Sequence, residues 1–328
     1  MGHRIRMGLM LTAIGSVIAL IGLTSCGSVK GTGDTSIRVE RPEPVDFGVP
    51  AAAPPPQEVA VANGVTNFAG PATLPAIEIV RKPVTNGVVE ATANLLGMAD
   101  VRQTVTKDGR AATADNEWEL SFVVPEMADC FSFESRSFLS GGCDANVENG
   151  RIPQLPEAGE IAKLATDYLK SIGLGQGLVL ARTHVKTSAH VEDPKTGSVR
   201  IIPTSVAAVF RPQIDGMTVE GPGAKVVVVF GEQGTLLSFF HWVPETRPSN
   251  AVNIRPVADA LDDIRAGKGL PPAQGELASV EVQDVDMRYF AEPLASGPSF
   301  WKPVYAFQVR EKGTSGPLEI WFVDAQAE

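Results

Sequence analysis

The chain has 328 residues, of which 44% are hydrophobic, and its 28 Lys and Arg against 38 Asp and Glu give a net charge of −10. This acidic balance argues against nucleic-acid binding and against electrostatic adsorption to anionic lipid. Beyond the N-terminal segments, the length is enough for one large or two small domains.

The N-terminus has the pattern of a secretory signal. Basic residues precede an apolar run over about 7–23, which is short for a membrane span. The Leu-Thr-Ser-Cys sequence at positions 23–26 resembles the bacterial lipobox. The resemblance implies that residues 1–25 are a lipoprotein signal peptide and that Cys26 becomes the lipid-bearing N-terminus. An uncleaved anchor helix is the alternative, and both place the remainder outside the cytoplasm, attached to the bacterial membrane.

Residues 26–75 are predicted to form a disordered tether. Eight prolines fall within 27–75, including three in a row at 54–56, and no apolar period is present. Such a segment buries too little apolar surface to offset the entropy lost on ordering. The folded part is therefore expected to stand off the membrane.

The cysteine count suggests a disulfide. Once Cys26 carries lipid, Cys130 and Cys143 remain, in a compartment where disulfides persist. The loop between them contains two adjacent glycines, and closing it would contribute about 3 kcal/mol in the chain-entropy model. A metal or redox thiol pair is the alternative, but the spacing is not C-x-x-C and no histidine lies nearby. We predict a structural disulfide between Cys130 and Cys143.

Three segments have the pattern of helices. The strongest is 156–172, where six apolar residues recur at helical spacing, acidic residues lie near the start and Gly173 follows the end. A second helix is predicted over about 255–266, with Pro256 in its first turn. A weaker one covers about 87–96.

Strand patterns follow the two strong helices. The predicted strands cover about 181–191, 199–210, 224–230, 235–243, 279–290, 304–309 and 318–323. The Gly-Glu-Gln-Gly sequence at 231–234 is typical of a hairpin turn. A helix followed by antiparallel strands, occurring two or three times, predicts an α+β fold in which each helix packs on its own antiparallel sheet.

These patterns divide the folded region into three predicted modules. An N-terminal α+β module covers 76–150 and holds the predicted disulfide. A central helix-plus-antiparallel-sheet module covers 151–250, and a C-terminal one covers 251–328.

The layout resembles the PepSY superfamily of small extracytoplasmic modules. The resemblance rests on loose strand-and-turn patterns at 214–216, 221–228, 231–234, 287–290 and 303–307. It covers about 156–325 and fits 76–150 less well. It implies one helix packed on an antiparallel sheet in each module and a role in inhibition, regulation or binding, and it supplies no functional residues.

Residues for catalysis or metal binding do not form a convincing set. There is no Gly-x-Ser-x-Gly motif, and His241 lies between aromatic residues in a predicted strand, which favours a core position. His184 and His190 share a predicted strand face but lie roughly 20 Å apart, too far for one zinc ion. Asp284 and Asp286 share a face about 7 Å apart without a calcium-loop pattern. We predict no catalytic residues, no metal and no cofactor.

Two glycine-rich segments do not have the context of phosphate loops. The glycines of 173–177 follow a helix and lead into a strand, which reverses the order of a nucleotide loop. The Gly-Pro-Gly-Ala-Lys sequence at 221–225 also runs into a strand and lacks the Gly-Lys-Ser/Thr ending. Neither is predicted to bind phosphate.

Aromatic residues offer a candidate binding surface. Phe300 and Trp301 follow a Ser-Gly-Pro-Ser loop, and Trp242 lies near the end of a predicted strand. The alternative is that these side chains fill the core of the last module.

We therefore expect a noncatalytic, lipid-anchored envelope protein that binds or regulates another extracytoplasmic protein. A small-molecule or lipid binder is the alternative, and an uncharacterised hydrolase the third. The partner, ligand and membrane are not identified by the sequence, and nucleic acid is not expected as a partner.

Overall fold

The computed structural model describes residues 56–98, 102–105, 111–114, 117–122, 124–139, 152–192, 199–269 and 279–327. The predicted signal peptide, Cys26 and Cys143 lie outside these residues. The helices are α1 (Asn86–Leu95), α2 (Arg136–Leu139), α3 (Ala158–Ser171) and α4 (Val257–Arg265). The strands are β1 (Glu58–Val61), β2 (Thr73–Ile79), β3 (Arg102–Val105), β4 (Ala111–Ala114), β5 (Trp118–Phe122), β6 (Cys130–Ser135), β7 (Leu178–Glu192), β8 (Val199–Ile214), β9 (Met217–Glu220), β10 (Lys225–Phe230), β11 (Leu236–Trp242), β12 (Thr246–Asn253), β13 (Ser279–Phe290), β14 (Phe300–Glu311) and β15 (Glu319–Asp324).

The three predicted helices are confirmed as α1, α3 and α4. Thr85 caps α1, and its side-chain oxygen accepts a hydrogen bond from the Val88 backbone N–H at 3.3 Å. In α3 the predicted stripe is buried on one face at Ile161, Ala165 and Leu169. The predicted strands are also present, and β10 and β11 form an antiparallel hairpin.

The described strands form one large mixed sheet. Their order is β12-β2-β14-β13-β9-β8-β10-β11-β6-β5-β4-β3, with β1 beside β13, β15 beside β14 and β7 beside β8. Most neighbours are antiparallel, but β13 pairs in parallel with both β1 and β9.

The predicted fold class of separate PepSY-like helix-on-antiparallel-sheet modules is wrong. Strand β6 of the predicted N-terminal module pairs with β11 of the central one. Strand β9 pairs with β8 on one side and with β13 of the C-terminal module on the other. Backbone hydrogen bonding between strands distant in sequence therefore makes one continuous sheet out of segments predicted to fold separately.

The predicted disordered tether is also wrong where it overlaps the described residues. Strand β1 and the start of β2 lie within 56–75 and pair with β13 and β12. Val65 is 1% exposed and packs in the same core cluster as α4. Val59, Val61 and Phe68 are partly buried against the same cluster, so strand pairing and side-chain packing together order this segment.

Two helix–sheet cores lie on different parts of the sheet. The first joins α1 and α3 to strands β5, β6, β8, β10 and β11, and its largest buried side chains include Phe122 and Phe239. The second joins α4 to β1, β13, β14 and β15 around Tyr305 and Phe307. A third cluster, around Trp301 and Tyr289, joins residues of β2, β9, β13 and β14.

Candidate anion-binding site

A basic pocket lies on the sheet face opposite α1 and α3, here called the pocket face. On β10, Val226 and Val228 face the helix-side core, while Val227 and Val229 belong to a separate cluster on the other side. The basic pocket is lined by Arg182, His184 and Lys186 of β7, Val209 and Arg211 of β8, Lys225 and Val227 of β10, and Phe240 and Trp242 of β11. Its cavity volume is about 30 Å³. It therefore has room for a water molecule or one compact chemical group.

Strand register brings these side chains together. Val227 lies opposite Val209 on one neighbouring strand and opposite Phe240 on the other. Val209 in turn lies opposite Arg182. Lys225 lies opposite Trp242. The pocket thus has a floor of valines, two aromatic rings on one side and cationic side chains from three strands.

Lys225 is the most unusual residue of the pocket. It is 6% exposed, and its ammonium lies 5.0 Å from the centroid of the Trp242 ring. Among the described residues it has no hydrogen bond or salt bridge. Burial, followed by the nearby positive charges of Arg211, Lys186 and Arg182, lowers the pKa of Lys225 to about 7.

Arg211 is held in place by the loop between β9 and β10. Its Nη1 donates hydrogen bonds to the carbonyls of Gly221 and Ala224, the latter at 2.7 Å. Its Nε lies 3.6 Å from Glu220 Oε2, and Glu220 also accepts a hydrogen bond from Arg288 at 2.8 Å. The charge of Arg211 is therefore balanced within the protein.

A close backbone approach fixes the same loop. A Cβ on Gly223 would lie 1.7 Å from the Glu292 carbonyl oxygen, and the Gly223 N–H donates to the Ala291 carbonyl at 3.1 Å. Only glycine fits there without moving the backbone. The loop that precedes Lys225 is thereby fixed against the segment after β13.

The β7 side of the pocket carries His184 and Lys186. Within the described residues, the His184 Nδ1 is buried without a hydrogen-bond partner, and burial followed by the charges of Arg182 and Lys186 lowers the pKa of His184. The Lys186 ammonium lies 6.0 Å from the Phe240 ring centroid. Burial lowers the pKa of Lys186, while the carboxylate of Glu134 opposes that shift.

Glu134 on β6 is an acidic residue on the pocket face, directly opposite Glu119 of β5. Burial and, to a smaller extent, the nearby Glu119 raise its pKa to about 7 against the opposing charge of Lys186. Its neighbour across the ladder is Ser238, whereas Lys225 lies opposite Trp242, four residues further along β11. Four residues of a strand span about 13 Å, so Glu134 does not compensate the charge of Lys225.

The histidines and aspartates considered as catalytic or metal-binding candidates do not converge. His241 is 9% exposed, stacks on Phe131, and its Nδ1 lies 2.7 Å from the Asp129 carbonyl oxygen, which confirms its predicted core position. The His190 side chain lies outside the described residues. Within the described part of the chain, no group of three or more His, Cys, Asp or Glu side chains could hold a metal ion.

The aspartate pair makes local contacts on the sheet. Asp284 is exposed and accepts a hydrogen bond from the Gln308 amide at 3.3 Å. Asp286 forms a salt bridge with Arg288 at 2.9 Å.

The three aromatic residues predicted as a binding surface lie in different environments. Phe300 is 41% exposed, whereas Trp301, the next residue of β14, is 1% exposed and belongs to the third core cluster. Trp242 is half-buried and lines the basic pocket, with its ring centroid 5.8 Å from that of Phe240. Trp242 alone of the three contributes to this pocket.

Cys130 is buried and carries a free thiol among the described residues. Burial, with a smaller contribution from Asp129, raises its pKa far above the usual range of a thiol. Because Cys143 lies outside the described residues, the disulfide between them stays a prediction.

The cations of the pocket were missed by sequence reasoning. His184 was considered only as a possible metal ligand, and Arg182, Lys186 and Arg211 belong to no motif. The available signal was Lys225, a single cation that opens the otherwise apolar strand 225–230. A lysine in a strand buried on both faces needs either a counter-charge or a ligand.

Comparisons with known proteins assign neither a family nor a function. No family model matches the sequence, and no curated protein matches it. Among solved structures, the chain resembles the crystal structure of an uncharacterized protein from Eubacterium rectale ATCC 33656 with a TM-score of 0.38 and 11% identity. The match covers 79% of this chain and 86% of that one. Separately, no helix in the described parts of the chain is long and apolar enough to cross a membrane.

Proposed function

We propose that the protein is a noncatalytic, lipid-anchored binding protein of the cell envelope and that it binds a small anion in the basic pocket. The proposal rests on one observation about Lys225. This lysine is 6% exposed and has no ion pair among the described residues. An uncompensated buried charge is costly, and an anion in the pocket would remove that cost.

The neighbouring side chains support an anionic ligand. Arg182 and Lys186 line the same pocket as Lys225. Ammonium groups form charge-assisted hydrogen bonds with carboxylate or phosphate oxygens, and such bonds are strong. The small cavity restricts the ligand to a compact anion or to the anionic end of a larger molecule.

The lipid anchor completes the proposal. The lipobox-like sequence at positions 23–26 supports acylation of Cys26 and an extracytoplasmic location. Labelling cells with an alkyne-bearing palmitate should mark the protein, and Cys26→Ala should abolish the label. Labelling of the variant at the wild-type level would contradict the anchor.

Inorganic phosphate is the first probe for the pocket. Calorimetric titration of the protein with phosphate at pH 6.5 should give saturable binding to the wild type and none to Lys225→Met. Lys302→Met is the matched control, because Lys302 is exposed and lies outside the pocket. Equal phosphate affinity in the wild type and Lys225→Met would overturn the proposal.

Binding of another envelope protein is a second candidate. Leu180 and Val185 on β7 are 44% and 49% exposed, and among the described strands β7 pairs only with β8. Exposed apolar residues on an edge strand favour contact with a partner. In-cell crosslinking from position 185 should capture a specific envelope protein, and a product pattern identical to that from exposed position 163 would contradict this candidate.

A further inference from the structure

Lys225 combines features that distinguish a reactive amine from an ordinary surface lysine. The residue is only 6% exposed, yet it lines the pocket. The Trp242 ring and the Val227 side chain also line the pocket beside it. The amine is therefore both shielded from bulk water and open to a ligand in the cavity.

The charges around Lys225 favour its neutral form. Arg211, Lys186 and Arg182 are the like charges that act on it, contributed by β8 and β7. The carboxylate of Glu220 is engaged by Arg211 and Arg288, and that of Glu134 lies four residues along the sheet. Desolvation together with neighbouring cations is the environment that converts a lysine into a nucleophile near neutral pH.

We propose that Lys225 captures the carbonyl group of a small 2-oxo acid as a reversible imine. This inference rests on the proposed function, because the carboxylate of the oxo acid is the anion that the pocket binds. Lys186, which lines the same pocket, would hold the carboxylate, and the adjacent carbonyl carbon would face the Lys225 Nζ. A single small ligand thereby accounts for both the cationic lining of the basic pocket and the buried amine of Lys225.

The chemistry needs no oxidant or further reactant. The lone pair of the neutral Nζ forms the C–N bond, and the π electrons of the carbonyl move to its oxygen, which takes up a proton. Nitrogen loses its second proton, and the hydroxyl group leaves with a proton as water, which gives the C=N bond. Addition of water reverses the step, so the capture is binding rather than turnover.

Reductive trapping tests the inference. The full-length protein is incubated with pyruvate at pH 7 and sodium cyanoborohydride, and the modified lysines are located by peptide mass spectrometry. At pH 7 an ordinary lysine with a pKa of about 10.4 is neutral in roughly one molecule per 2,500, so labelling of Lys225 should exceed that of Lys302 by about tenfold or more. Acetone, which has the carbonyl but no carboxylate, should label Lys225 much less than pyruvate does.

A second variant separates the charge of Lys225 from its nucleophilicity. Lys225→Arg keeps a cation in the pocket but has no amine that forms an imine. It should therefore retain phosphate binding and lose the pyruvate adduct. Competition by phosphate should also suppress labelling of Lys225 in the wild type.

The outcomes distinguish this inference from the proposed function. Phosphate binding without preferential labelling of Lys225 overturns the imine and leaves the anion site in place. Equal labelling by acetone and pyruvate overturns the assignment to oxo acids. Failure of both phosphate binding and labelling overturns the inference and the proposed function together.

Discussion

The two faces of the same strands have opposite chemistry. On β10, Val226, Val228 and Phe230 pack against the core that includes α1 and α3, and each is at most 3% exposed. On the pocket face, the same strand presents Val227 and Val229 but begins with Lys225. On β10, the helix-covered face therefore presents only apolar side chains.

The pocket face carries a cost in stability that the helix-covered face of β10 does not. A buried lysine among other cations destabilises the fold relative to an apolar side chain of similar volume. Natural proteins keep such costs mainly at functional sites. The contrast between the faces is therefore the physical basis for assigning the site to the pocket face.

The largest expected effect separates two adjacent phenylalanines of β11. Phe239 is fully buried on the helix-covered face, whereas Phe240 is half-buried on the pocket face. Phe239→Ala should lower the free energy of unfolding by about 3–5 kcal/mol, because it leaves a cavity in the core. Phe240→Ala should cost only about 1–2 kcal/mol and should weaken phosphate binding. Urea unfolding measures both, and equal destabilisation would contradict the contrast.

Lys225→Met should stabilise the protein. Removing the buried charge should raise the free energy of unfolding by about 1–4 kcal/mol below pH 7. The folded-state pKa of Lys225 is about 7, below its ordinary value of 10.5. Between pH 7 and 10.5 the folded wild type therefore loses this proton while the unfolded chain keeps it, and the free energy of unfolding of the wild type rises. The advantage of the variant should shrink over that range in urea unfolding at constant ionic strength. A variant less stable than the wild type at pH 6 would show that the ammonium has a stabilising partner.

Glu134→Gln tests a half-buried carboxylate on the pocket face. The folded-state pKa of Glu134 is about 7, above its ordinary value of 4.5, so ionisation destabilises the wild type as the pH rises from 4.5 to 7. The variant should gain about 3 kcal/mol of stability over the wild type at pH 8 and little at pH 4.5. Glu311→Gln, at an exposed position of β14, is the matched control. A pH-independent difference for Glu134→Gln would contradict burial as the cause.

The smallest expected effect concerns the solvent side of α3. Lys163 forms an exposed salt bridge with Asp167 one turn further along α3. Exposed pairs of this kind contribute little because water screens them. Lys163→Met should therefore leave the thermal midpoint within experimental error of the wild type, measured by circular dichroism. A clearly lower thermal midpoint would contradict the expectation that exposed charges contribute little to the stability of this fold.

Local patterns predicted the helices and most strands but not how they assemble. The apolar spacing of α3 and the turn at 231–234 are encoded by neighbouring residues, so they could be read from the sequence. The pairings of β6 with β11 and of β9 with β13 join distant segments through backbone hydrogen bonds, which have no side-chain signature. The prediction of separate modules failed for that reason.

The pocket was harder to predict than the fold. Its residues come from β7, β8, β10 and β11, and only the register of these strands brings Arg182 close to Val227 and Lys225 close to Trp242. Lys225 was visible as a cation opening an apolar strand. A counter-charge for Lys225 would have to come from the strands that pair with β10, and no sequence motif specifies which strands those are.

Titration of Lys225 by NMR with 13C-labelled lysine tests the central claim most directly. With Lys225→Met used to assign the signal, the amine should titrate with a pKa near 7 without added ligand, and saturating phosphate should raise that pKa because the anion stabilises the ammonium. A pKa near 10.5 that phosphate does not change would contradict an uncompensated cation in an anion-binding pocket.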